Sequence, residues 1–454
     1  MGDLIMSSPA IRALKESFGC RITLLIPTSA YPIAAHLESI DEVIAADLPW
    51  AKNAESGAPE NFSRLIHLIR EKQFDGAVIF TVYSQNPLPA AMCCYMAGIP
   101  RRLAWCRENP YHLLTDWAAE KEPYSMIRHQ VQRDLRLVSF VGAETKNDKL
   151  SVRSSPAAWQ QTKQKLASLG ITTQVPWMVM HTGVSEAKRQ YPAKQWIEAG
   201  RKISRELGLQ ILLTGAASEQ EDVAAIAAGI GGQARCLAGL LDMEEFIALI
   251  RAAPFVITVN TITSHIAAAV CTPVLVLYAL TNPQHTPWKV QHRVLPFHPP
   301  EEMQSRNEVV QYVYRKFLNM PVRQITPTDI LQAVCQLQQE QEKVSFAHTG
   351  TSALLPSRHR QVPRSRPSSF IFKQFKHSMD IMNHISDVKR VINTWKEKFL
   401  QRSITQQDLN WLNSVSREYR QTILNAIEES EKVFTDLCID ENVHGDLFFV
   451  RTAQ

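Results

Sequence analysis

Over its first 340 residues the chain alternates short aliphatic and β-branched runs with amphipathic helical patterns, and this leaves few folds open. The runs "ITLLI" (22–26), "AVIFTV" (77–82), "WMVMH" (177–181), "QILLT" (210–214), "FVITV" (255–259) and "VLVLY" (274–278) read as buried strands. Helical spacing falls between them at 60–72, 125–140, 156–168, 194–207 and 242–252, the last opening on an Asp242/Glu245 capping box. Strand–helix alternation requires parallel, doubly wound sheets. The polar stretch "GAETKNDKLSVRSSP" (142–156) reads as a linker. The expected architecture is therefore α/β: two Rossmann-like domains, 1–150 and 151–343, with a cleft between them.

The N-terminus "MGDLIMSSPAIRALKESFG" reads as a Gly2-Asp3 turn feeding a helix capped by Ser8, with Pro9 at its first position. Such turns follow a buried central strand, and none precedes this one. The expectation is that Met1 is an internal methionine and that the first strand lies upstream.

Composition narrows the function classes. A formal net charge of +5 over 454 residues does not argue for nucleic acid. Eight cysteines without C-x-x-C spacing support neither a zinc site nor a disulfide framework and fit a cytoplasmic setting. No charged n-region with an apolar core opens the chain, so a secretory leader is not expected. Residues 252–288 lack Asp, Glu, Lys and Arg, but Asn260, His265, Pro273, Pro283 and Pro287 would be costly in lipid. This stretch reads as strand, polar turn, helix and strand.

After about residue 343 the composition shifts. Residues 344–377 carry six Lys and Arg, no acid and many Ser and Pro, which describes a flexible linker. Apolar positions from Phe375 to Phe399 and from Leu409 to Ile427 then recur three or four apart. They predict a C-terminal α-helical extension, a hairpin over 378–454, dispensable for the preceding fold. Mutual packing of the two helices, self-association and binding of a protein partner are its open readings.

Three loops leaving strands of the second domain carry polar chemistry. In "VNTITSHIAAAV" (259–270) a strand ends in Asn260, Thr261, Thr263, Ser264 and His265, and a helix begins. A helix N-terminus suits a phosphate; capping by Ser264 or Thr263 is the other reading. "HTGVSEAKRQYPAKQW" (181–196) offers Lys188 and Arg189 to an anion, and "LTGAASEQED" (213–222) offers Glu219 to ribose hydroxyls. Loops leaving parallel strands face one side, so together they describe a nucleotide site.

In this order, with "LAGLLDMEEFIALI" and "NPQHTPW" added, the motifs resemble glycosyltransferase family nine, the heptosyltransferases of lipopolysaccharide core synthesis, over about residues 1–340. The resemblance implies a GT-B fold and an inverting transfer without a catalytic metal or other cofactor. The implied donor is a nucleotide-sugar of ADP-heptose type. The implied acceptor is a lipopolysaccharide core, met at the cytoplasmic face of the inner membrane. It assigns Asp3 as the catalytic base and Lys188 to the donor diphosphate. It also assigns Glu219 to the ribose, and His265 to a phosphate or to the turn itself. Thr182, Ser185, Leu241, Asn260, Thr261, Thr263 and Ser264 complete the expected donor site. Ile262 stands where the family has Gly, which permits positive φ and close phosphate approach. Arg101, Arg102 and Arg107 are acceptor candidates or a solvated basic loop. His285, His292 and His298 are too far apart in sequence for a convincing metal set. The alternative reading is a non-catalytic relative that binds nucleotide or glycan and uses its tail for partners.

Overall fold

A computed structural model describes residues 1–51, 58–303, 305–349 and 445–451, the last seven and 342–349 as backbone. The first sheet contains β1 (Arg21–Pro27), β2 (Glu42–Ala46), β3 (Gly76–Thr81), β4 (Arg101–Cys106) and β5 (Asp116–Ala119). The second contains β6 (Trp177–His181), β7 (Gln210–Thr214), β8 (Ala234–Cys236), β9 (Val256–Val259), β10 (Val274–Ala279) and β11 (His292–Phe297). One further strand, β12 (Gly445–Arg451), belongs to the first sheet.

The second sheet is parallel throughout, in the order β11-β10-β9-β6-β7-β8. Its inner strands are buried on both faces, as their unbroken apolar runs require. The Asp242 carboxylate caps the helix Met243–Ala252, with Glu245 reciprocating, as the sequence predicts.

The first sheet runs β2-β1-β12-β3-β4-β5. All its neighbours are parallel except β12, which lies antiparallel to both β1 and β3. The place expected for a strand before Gly2 is thus filled from the far end of the chain. This corrects the expected all-helical extension over 378–454: its residues 445–451 are a strand. The expected linker 344–377 is corrected at its start, where 344–349 continue the helix Pro327–Thr349; the rest of it and the two helical patterns lie outside the described residues.

The N-terminal helix is also corrected. It spans Gly2–Phe18, so Gly2 and Asp3 form its first turn rather than a loop, and Ser8 and Pro9 lie inside it. Pro9 has no N–H for the carbonyl of Ile5, and the Ser8 hydroxyl donates to that oxygen instead, at 2.7 Å. The helix buries Leu4, Ile5, Ile11 and Leu14. The Arg12 guanidinium pins the 142–156 segment by donating to the carbonyls of Asn147 and Lys149 and to Ser151 Oγ.

Beneath this helix lies a buried polar network on the helix Gln130–Ser139. Ser7 Oγ and Gln130 Nε2 both donate to Asp134, each at 2.8 Å. Arg133 is fully enclosed, bonded to the Thr81 carbonyl and paired with Glu120 and Glu122. Burial pushes the Asp134 carboxyl from 3.8 up to about 8, although Ser7, Arg133 and Gln130 favour its ionised form.

Three outcomes are expected, the first two for β12. Cutting the chain after residue 439 removes β12 and should abolish the cooperative melting of the first sheet. Phe448→Pro, which deletes one ladder donor between β1 and β3, should cost about 1–3 kcal/mol. Thermal denaturation reads both. For Asp134, an acid whose folded pKa is raised makes the folded state lose stability as pH climbs between 3.8 and about 8. Asp134→Asn should flatten that decline, raising the melting temperature at pH 8 and leaving it unchanged near pH 4.

Candidate active site

A cavity of about 930 Å³ opens at the carboxyl ends of both sheets, where a doubly wound fold leaves its loops free for a ligand. One wall comes from the first sheet and its helices: Asp3, Ser29, Tyr83 and Gln130. The other comes from loops of the second sheet: Gly183 to Arg189 after β6, Gly215 to Glu219 after β7, Asn260 to His265 after β9, and Thr281 to His285 after β10.

Of the expected residues, Asp3, Ser185, Lys188, Glu219, Leu241, Asn260, Thr261 and His265 line this cavity. Thr182, Thr263 and Ser264 lie buried behind it. The hydroxyls of Thr182 and Thr263 have no hydrogen-bond partner among the described residues. The helix Ile262–Ala269 starts after Thr261, so neither Ser264 nor Thr263 caps it; Ser264 Oγ turns back to the Thr261 carbonyl at 2.8 Å. Asn260 ties the ends of two strands together: its amide donates to the Ala279 carbonyl (3.1 Å) and accepts the Ala279 N–H (3.0 Å). Ile262 takes the first helical position without a positive φ, so glycine's freedom is not needed there.

Lys188 Nζ lies 3.5 Å and Arg189 Nη2 2.8 Å from the Glu186 carboxylate, so both cations sit on one loop at the cavity wall. Arg189 also donates to the Asn260 carbonyl, joining two of the loops. Glu219 Oε2 accepts the Ala216 N–H at 2.7 Å. Its carboxylate lies where a side chain at Gly183 would be: a Cβ there would come within 2.0 Å of Oε2. Gly183 is a site residue that the sequence reading passed over, although it stands in the quoted "HTGVSE".

Asp3 is half-exposed at the start of its helix, a position that favours a carboxylate. Burial raises its pKa, but His285, the N-terminal ammonium, His265 and Arg189 together outweigh it, and the carboxyl lies below its ordinary 3.8. Gly2 packs on the His265 ring so closely that a Cβ would lie 2.9 Å from Cδ2. Burial lowers His265 to about 3, and His285 and His181 to about 4. All three rings are therefore neutral near pH 7.

The three acceptor candidates do not come to the cavity lining. Arg102 is buried and donates to the carbonyls of Ile99, His112 and Leu113. Arg107 donates to those of Tyr83 and Glu122, and Arg101 pairs with Asp116 on the surface. The three histidines are separate too: His285 lines the cavity, His292 turns to the Val290 carbonyl, and His298 to the Met320 carbonyl.

Residues 62–311 match the model of glycosyltransferase family 9 (heptosyltransferase). The chain is 27% identical over 303 residues to lipopolysaccharide heptosyltransferase 2 of Salmonella typhimurium, covering 63% of this chain and 82% of that one. It is 29% identical over 303 residues to lipooligosaccharide heptosyltransferase 2 of Haemophilus influenzae, covering 63% and 83%. Its fold resembles a family 9 glycosyl transferase of Veillonella parvula (TM-score 0.61, 16% identity, 75% of this chain and 95% of that). It also resembles ADP-heptose lps heptosyltransferase II of E. coli (TM-score 0.58, 22% identity, 75% and 96%). Two doubly wound sheets facing one cleft are the GT-B arrangement, and the chain belongs to glycosyltransferase family 9, the heptosyltransferases.

Proposed function

We propose that the protein transfers a heptose, with inversion, from a nucleotide-sugar of ADP-heptose type to a lipopolysaccharide core acceptor. The observation that carries this is the ionised Asp3 carboxylate facing, across one cavity, the loops that bear Lys188 and Glu219 and the helix start at Thr261. The acceptor hydroxyl attacks the anomeric carbon from the side of Asp3, its proton passes to the carboxylate, and the nucleoside diphosphate departs toward the second sheet. Lys188 and the N–H groups at the start of Ile262–Ala269 meet the charge that grows on the leaving diphosphate, so the step needs no metal. Glu219 takes the ribose hydroxyls. The acceptor is part of a membrane glycolipid, which puts the reaction at the cytoplasmic face of the inner membrane. Among the described residues no helix is long and apolar enough to cross that membrane.

Turnover of ADP-heptose onto a core acceptor tests the reading. Asp3→Asn should lower kcat about 10²–10⁴-fold while donor affinity barely changes; full turnover in that variant would remove Asp3 from the role. By calorimetry, Lys188→Ala and Glu219→Ala should each weaken ADP binding about 10-fold or more, the size of a lost charge-assisted hydrogen bond. Gly183→Ala should do the same with the fold intact, because the Glu219 carboxylate it displaces is the far end of a flexible side chain. Unchanged affinity in all three would place the nucleotide elsewhere.

A further inference from the structure

Asp3 has a partner that neither the motifs nor the comparisons assign. His285 follows β10 on the second-sheet wall, and its Nε2 lies 3.6 Å from Asp3 Oδ1 on the opposite wall. The ring is held. Asn282 Oδ1 accepts the Gln284 N–H at 2.8 Å, which fixes that amide's orientation. Asn282 Nδ2, 3.3 Å from His285 Nε2, is therefore the donor. In the neutral ring Nε2 carries the lone pair and Nδ1 the proton. The ring also stands nearly perpendicular to His265, with centroids 6.3 Å apart, and His265 in turn packs on Gly2. Two contacts thus connect the second wall to the first turn of the helix that bears Asp3.

We propose that His285 is a positioning residue for Asp3 that, from across the cleft, takes up the proton that would otherwise neutralise the carboxylate and so keeps it ionised beside the acceptor hydroxyl. A proton reaching the pair settles on the Nε2 lone pair and leaves Asp3 charged, because an imidazolium beside a carboxylate stabilises both charges. The other ionisable groups facing the pair are the N-terminal ammonium, His265, Arg189, His129 and Asp134. Arg189 opposes protonation of His285, and so do His129 and the ammonium; Asp3 is the carboxylate that favours it. The role rests on Asp3 being the base in the proposed transfer, and the test separates the two.

The first measurement needs no turnover. The His285 imidazole is titrated by NMR in the full chain and in Asp3→Asn, its resonance assigned with His285→Gln. Removing the carboxylate should lower the His285 pKa by about 1 unit or more; an unchanged value overturns the pairing. The second is the pH profile of kcat/KM with ADP-heptose for the wild type, His285→Phe and His285→Gln. Without His285 the incoming proton lands on Asp3, so the acid limb should move to higher pH by about 1 unit in both variants. ADP affinity should stay within about twofold. The kcat should fall about 10-fold in His285→Phe and recover in part in His285→Gln, whose amide N–H can donate to the carboxylate. A loss of rate with no shift of the limb means ordinary packing and overturns the role. If the wild type fails to turn over ADP-heptose, the transferase reading falls and the NMR titration alone decides the pair.

Discussion

The first half of the molecule depends on the two hydrogen-bond ladders that β12 makes with β1 and β3. β1 runs parallel to β2, and β3 to β4, and each is buried over almost its whole length. Without a strand between them, each would hold a row of unpaired N–H and C=O groups inside the protein, away from water. β12 meets both rows, pairing Leu24 and Val78 through the same residue, Phe448. An antiparallel strand serves as well as a parallel one because the requirement is for backbone donors and acceptors, not for chain direction. The consequence reaches the cavity. Pro27 and Ser29 leave the end of β1, and Phe80 to Tyr83 end β3 and follow it, so the spacing of these two strands sets the width of the first-sheet wall.

The parts of this architecture legible in the sequence are those whose signals are local. Runs such as "QILLT" and "WMVMH" are apolar because both faces of a parallel strand are covered, and they fall on β7 and β6. The Asp242/Glu245 box works over three residues and is found as read. What was not legible depends on distant partners. "LFFV" in β12 is a short strand-like run, but its neighbours lie more than 350 residues away, and helical periodicity dominates the segment before it. Ser8-Pro9 has the chemistry of a helix start, yet burial of Leu4 and Ile5 against the core extends the helix backward through it. Arg102 has the composition of an anion site, but three backbone carbonyls claim its guanidinium. The loops of the candidate site were legible because strand ends and small polar residues mark them. Gly183 was not, because what it accommodates, the Glu219 side chain, comes from a different loop.

The two walls are already joined by more than the chain. Gln284 is fully buried: its Nε2 donates to Glu122 Oε2 at 2.7 Å, its carbonyl accepts the Gln130 N–H at 3.0 Å, and Tyr83 N–H points at its Oε1. Next to it, His129 Nε2 is bonded to the Thr286 carbonyl at 2.8 Å, and the His129 ring packs on Trp288. Burial pushes Glu122 above its ordinary value, and Arg133 and Arg128 pull against that rise. Separating these groups would leave several buried donors and acceptors unpaired, each at about 1–3 kcal/mol. The segment 281–288 therefore belongs mechanically to the first wall although it follows a strand of the second. The loops after β6 and β7 are held differently: Lys188 and Glu219 stand half-exposed and bonded within their own loops. Asp3 and His285 thus lie beside a buried network that Lys188 and Glu219 do not share.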